Sequence, residues 1–123
     1  EVDGRVLREN LFLVRMQLGN MRGGSGADDA PPVGVVLKSN AYGHGVLLAG
    51  RVLASARVDA LFVSSAEDAL QLRGFPEVSP TLPLILLYRA PDRGVACALA
   101  AANITASVLS MAWLEEARRW QTC

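Results

Sequence analysis

Between Arg5 and Met21 the apolar residues Leu7, Leu11, Val14, Leu18 and Met21 recur at spacings of four and three. That period places them on one face of an amphipathic helix. The stretch GGSGADDAPP over 23–32 is rich in Gly, Asp and Pro and predicts a loop. Ahead of the helix, Glu1 to Asp3 reads as the tail of a short strand. Val33 to Leu37 (VGVVL) is a continuous apolar run with β-branched residues, closed by Lys38. Such a run suits a strand covered on both faces, as in a parallel sheet. Ser39 to Gly45 (SNAYGHG) predicts a turn, and Val46 to Ala56 a short apolar helix.

The alternation continues down the chain. Asp59 to Ser64 reads as a strand. Ser65 suits an N-cap, because Glu67 and Asp68 then occupy the first turn and favour the positive end of the helix dipole. This helix runs to Arg73 and ends at Gly74. Pro76 to Pro83 is a loop, and Leu84 to Tyr88 (LILLY) a buried strand. Asp92 to Ala102 is an Ala-rich helix, Ile104 to Leu109 a strand, and Ser110 caps a last helix over Ala112–Trp120. About five strand–helix units result, an order that gives parallel strands with right-handed crossovers. Two α/β architectures fit: a doubly wound open sheet, or part of a (β/α)₈ TIM-type barrel. No G-x-G-x-x-G or P-loop favours the nucleotide-binding open sheet. A complete barrel needs about 250 residues. At 123 residues, the chain would hold an incomplete one.

Composition narrows the function classes. Twelve basic residues balance twelve acidic ones, and no basic stripe interleaved with aromatics suggests nucleic acid. No apolar run reaches the roughly 18 residues of a membrane span. The acidic start lacks a signal-peptide pattern, so the cytoplasm is the simplest location. Cys97 and Cys123 have no metal-ligand spacing. Cys97 lies in an Ala-rich run that suits a small core residue, and a disulfide framework is not expected. Trp113 and Trp120 share a face of the last helix, while Glu115, Glu116, Arg118 and Arg119 suit its solvated side.

Eleven of the twelve basic residues are arginine, so Lys38 is the only lysine, and His44 is the only histidine. In both architectures ligands bind at the carboxyl ends of the strands, and Lys38 sits at such an end. Partial desolvation there would disfavour the ammonium form and free a nucleophilic amine, as an imine with an aldehyde cofactor requires. The plainer alternative is a lysine that snorkels out of a strand end. Gly43 and Gly45 permit positive φ and close backbone approach to a ligand. Tyr42 can donate a hydrogen bond to a phosphate oxygen, or simply pack over the sheet edge. Arg89 and Asp92 lie beyond another strand end, near the same mouth.

The segment Val35–Gly45 (VVLKSNAYGHG) closely resembles the cofactor-attachment segment of alanine racemases, VVKANAYGHG. Asp59–Arg73 (DALFVSSAEDALQLR), Leu82–Tyr88 (LPLILLY) and Ile104–Ala117 (ITASVLSMAWLEEA) resemble the same family in order. The resemblance implies a (β/α)₈ barrel that binds pyridoxal 5′-phosphate. Lys38 would hold the cofactor, Tyr42 would contact its phosphate, and Leu87 would lie near it. Asn40 and His44 would shape the turn. The implied reaction interconverts L- and D-alanine and supplies D-alanine for peptidoglycan, in a cytoplasmic homodimer. Other readings are a related barrel racemase acting on serine or a broad range, one linked to a membrane region, or a non-catalytic cofactor-carrying domain. Ser39 stands where Ala is usual, Leu37 is an extra apolar residue before Lys38, and Tyr88 stands where Gly is common, which narrows the mouth. The family's second base, a tyrosine from a C-terminal β-domain of the partner subunit, has no counterpart here. Nor has its cofactor-binding arginine segment. The chain is thus expected to be the N-terminal part of the barrel, inactive by itself.

Overall fold

A computed structural model describes residues 3–88 and 90–120. It contains helix α1 (Gly4–Met21), strand β1 (Gly34–Val36), helical turn α2 (Lys38–Tyr42), α3 (Val46–Ser55), β2 (Ala60–Val63), α4 (Ala66–Arg73), β3 (Leu84–Leu86), α5 (Arg93–Ala101), β4 (Thr105–Ala106) and α6 (Met111–Arg118). The expected strand tail at residues 1–3 falls mostly outside the described residues. Asp3 itself is the N-cap of α1, its side chain accepting a hydrogen bond from the Arg5 N–H. Four strands are therefore described where about five were expected.

Side-chain caps start three later helices: Ser65 accepts from Asp68, Asp92 from Val95, and Ser110 from Trp113. Each satisfies a backbone N–H that the helix itself leaves unpaired. The predicted apolar stripe on α1 is only partly used. Leu11 is buried and Leu7 packs against the core, but Val14 and Met21 are exposed. The later half of α1 packs instead on a 3₁₀ turn over Ala27–Asp29, where a Cβ at Gly19 would overlap the Gly26 carbonyl. The last strand is shorter than its apolar run, because Val108 and Leu109 are exposed beyond it.

The sheet order is β1-β2-β3-β4, with every neighbouring pair parallel. A doubly wound sheet reverses direction at a switch point. This one does not. Right-handed crossovers in one direction put all the helices on one face and curve the sheet away from them, as in a barrel. Val35, Leu61 and Leu84 are in register on the helix side, where Leu61 and Leu84 join Leu53, Leu72 and Leu99 in the buried core. The opposite face carries Val36, Phe62 and Ile85, also in register but only partly covered. In a barrel this second face becomes the filled interior.

Arginines bind the rim where the strands begin. Arg73, at the end of α4, donates to the carbonyls of Ser79, Leu82, Ala102 and Asn103 at 2.5–3.0 Å. Arg15 donates to Asp59 at 2.7 Å, and the same carboxylate accepts from the Val33 N–H at 2.7 Å. Arg51 meets Glu77 at 2.6 Å and lies over the Phe75 ring at 4.5 Å. Cys97 corrects the expectation of a small core thiol: it is half-buried and disulfide-bonded. Only one side of α5 faces the core, and Leu99 rather than Cys97 fills it. Cys123 lies outside the described residues. Trp113 and Trp120 meet edge to face, with centroids 6.0 Å apart.

Candidate active site at the strand ends

Leu37 continues β1 by one residue, its N–H donating to the Phe62 carbonyl at 2.7 Å. The backbone then reverses hand. Ser39, Asn40, Ala41 and Tyr42 have φ of 52°, 55°, 53° and 55°, a full turn of left-handed helix without a glycine. Left-handed geometry costs an L-residue roughly 1–2 kcal/mol each. Compensation comes from the Ala41 N–H to the Leu37 carbonyl, the Gly45 N–H to the Asn40 carbonyl, and the Val46 N–H to Asn40 Oδ1 at 2.9 Å. Ala41 is buried under the turn. Gly43 and Gly45 have φ of 87° and 91°, as their place in the motif suggested. The turn expected over 39–45 is therefore present, but four non-glycine residues carry the unusual backbone as well. Asn40 shapes it directly, and also occupies the first N–H of α3 that an anion could otherwise have met.

Lys38 is half-buried at the end of β1. Its Nζ stands 6.0 Å from the ring centroid of Tyr42 and 6.0 Å from that of Tyr88, which follows β3. Tyr88 belongs to a strand two places away, so the lysine leans across the end of β2 and over the sheet's mouth. Both rings are largely exposed, Tyr42 at 60% and Tyr88 at 66%. Tyr88 too has a left-handed backbone, with φ 61°. Each distance is at the outer limit of a cation–π contact, so the rings flank the amine more than they bind it.

Leu87 donates its N–H to the Val63 carbonyl at 2.7 Å and is half-buried. Two residues above Ile85 on the same face, it shares a rim layer with Lys38, two strand spacings or roughly 10 Å away. Ser107 closes the far side of that layer, its hydroxyl donating to the Leu86 carbonyl at 2.8 Å. His44 is exposed and lines, with Tyr42, Val36 and Asn10, a cleft of about 600 Å³ on the flank of β1. Lys38 is not part of that cleft. Asp92 caps α5 and so has a structural task. Arg89 lies outside the described residues. Tyr88 was visible in the sequence only as an unusual bulky residue. Its approach to Lys38 depends on β1 and β3 flanking one strand, which no local pattern encodes. Among the described residues no group of three His, Cys, Asp or Glu could hold a metal ion, and no helix is long and apolar enough to cross a membrane.

A singly wound parallel sheet with helices between its strands defines the class: part of a (β/α)₈ barrel. A model of the alanine racemase N-terminal domain matches residues 18–122. The alanine racemase of Aeromonas hydrophila is 33% identical over 115 residues, covering 94% of this chain and 28% of that protein. That of Acidithiobacillus ferrooxidans is 31% identical over 115 residues, with 94% and 29% covered. That of Thioalkalivibrio sulfidiphilus is 41% identical over 86 residues, with 70% and 20% covered. No solved structure shows significant similarity. The chain belongs to the alanine racemase N-terminal domain family. It spans less than a third of the length of these curated relatives.

Proposed function

We propose that the protein containing this chain is an amino-acid racemase that interconverts L- and D-alanine with pyridoxal 5′-phosphate, and that Lys38 is the amine that holds the cofactor. Residues 1–123 are the N-terminal part of its barrel, and the rest of the barrel and a β-domain lie elsewhere in the protein. The observation that carries this reading is the placement of Lys38. The chain's one lysine leaves an apolar strand and leans over the mouth, at the position the family's motif assigns to the attachment residue.

The residues present fit the cofactor. Lys38 offers a half-buried, reachable amine above the apolar floor of Val36, Phe62 and Ile85. The exposed Tyr42 hydroxyl has no hydrogen-bond partner among the described residues and serves to donate to a phosphate oxygen. Leu87 adds an apolar wall. When bound, pyridoxal phosphate supplies an electron sink that makes the α-proton of the substrate acidic. Lys38 Nζ would accept the α-proton on one face for one enantiomer and deliver a proton to that face when the reaction runs the other way. Inversion needs a second acid–base group on the opposite face, and the family resemblance assigns it to the partner subunit of a cytoplasmic homodimer. The product supplies D-alanine for peptidoglycan.

The test is borohydride reduction of the full-length protein with pyridoxal phosphate, followed by peptide mapping. The expected result is one pyridoxyl label, on Lys38. A label elsewhere, or none, overturns the assignment.

A further inference from the structure

We propose that Tyr88 is a specificity-determining residue, a gate that restricts access to Lys38 to molecules with small side chains. The inference rests on the reading of Lys38 as the amine facing substrate. Three observations converge on Tyr88. Its ring, which follows β3, stands 6.0 Å from Lys38 Nζ, the same distance as the Tyr42 ring, which follows β1. The two centroids are therefore no further apart than twice that distance, and a ring from each of two strand ends lies close to the amine. Second, the Tyr88 ring is 66% exposed, so it contributes little to the core and is not held there by burial. Third, its backbone is left-handed at φ 61°. A bulky residue is a true outlier in that region, whereas glycine adopts it freely. Strain of this kind persists where the surrounding structure imposes it, and it concentrates at ligand sites. The fold thus keeps a large ring beside the amine at a position where the smallest residue would relieve the backbone.

A ring in that place acts by volume. A molecule attached at Lys38 must direct its side chain past either Tyr42 or Tyr88. Tyr42 rides on the strained turn that follows Lys38 and is fixed through Asn40 and Ala41. Tyr88 stands at a strand end across the mouth, and its removal opens the mouth on the β3 side.

The experiment compares the full-length protein with Tyr88→Gly, Tyr88→Ala and Tyr88→Phe. In the absence of cofactor, Lys38 is labelled with a small acylating reagent and with a bulky aromatic one, and peptide mapping gives the ratio. Tyr88→Gly and Tyr88→Ala raise the bulky-to-small ratio at Lys38 several-fold, and Tyr88→Phe keeps the parent ratio. With cofactor, kcat/KM for larger amino acids relative to alanine rises by about tenfold or more in the Gly and Ala variants, the scale on which a pocket reads one or two methylenes. The rise comes through KM for the larger substrates. An unchanged ratio in both assays overturns the proposal, as does a Phe variant that behaves like Gly. The amine reagents report on the gate even if borohydride trapping finds no pyridoxyl group at Lys38, so the two failures are distinct.

Discussion

Where the strands begin, charged side chains are spent on the backbone: Arg73 gathers four carbonyls, and Asp59 takes one N–H and one arginine. Where the strands end, two polar side chains are left over. Lys38 lies near two exposed rings, Tyr42 has no hydrogen-bond partner among the described residues, and the backbone runs left-handed for four residues. Positive φ occurs at both rims, but among the described residues at the first it is confined to single residues after helices, Gly23, Arg57 and Asn103. One rim commits its charged groups to closing loops; the other engages Asn40, Asp92 and Ser107 with the backbone but leaves Lys38 and Tyr42 uncommitted, at some conformational cost. The division matches the rule that barrels place chemistry at the carboxyl ends of their strands and stability at the opposite ends.

Substitutions separate the two rims, and Lys38→Ala gives the widest split. On the proposed function, racemase activity of the full-length protein falls by at least about 10²–10⁴-fold, the range for loss of a positioned acid–base group. The unfolding free energy moves by no more than about 0.5 kcal/mol, as for a residue outside the core. Kinetics and denaturant melts on one preparation check both halves, and a large loss of stability would break the comparison. Arg73→Leu shows the reverse. Several carbonyls lose a charged donor at once, and stability drops by about 2–4 kcal/mol. Arg73→Lys recovers little of it, because a single ammonium cannot span four acceptors. Pyridoxyl labelling of Lys38 persists in whatever fraction stays folded.

Smaller effects sharpen the contrast. Ser39→Gly relieves one left-handed residue and raises stability by about 1 kcal/mol. A denaturant midpoint that does not rise would show that the turn is unstrained. The mildest change is Asp59→Asn. The Val33 N–H holds the Asp59 carboxyl below its ordinary range, burial opposes this, and Arg15 adds to the lowering. A depressed carboxyl contributes stability above its unfolded pKa of about 3.9, and loses it as pH falls through the lower folded value. Urea melts from pH 7 into strong acid should therefore show a decline below pH 4 that is shallower in the Asn variant.

Much of this was readable from the chain. Alternating apolar runs and helical stripes located β1 to β4, α1 and α3 to α6, and Ser65 and Ser110 marked helix starts because a hydroxyl at that place has one evident use. The one-way strand order, which decides for a barrel over a doubly wound sheet, was readable only through the family resemblance, since both arrangements share the same succession of elements. Lys38 and Tyr42 stood out through the motif. The left-handed path of Ser39–Tyr42 did not, because only Gly43 and Gly45 advertise positive φ by residue type. Arg73 figured in the sequence only as the end of its helix, and its partners are main-chain carbonyls that leave no trace in side-chain patterns. Asp92 drew notice as a neighbour of the mouth, and its carboxylate proved to be engaged in capping α5.

The single direction of the strands has a consequence for biosynthesis. Among the described residues, β1 and β4 each have one margin with no neighbour. Unpaired margins of this kind accept any extended polypeptide, kin or stranger. A nascent chain that has laid down this ribbon stays adhesive until further strands lie along both sides. Delay at that stage favours clumping over maturation, and chaperone dependence would be felt there first.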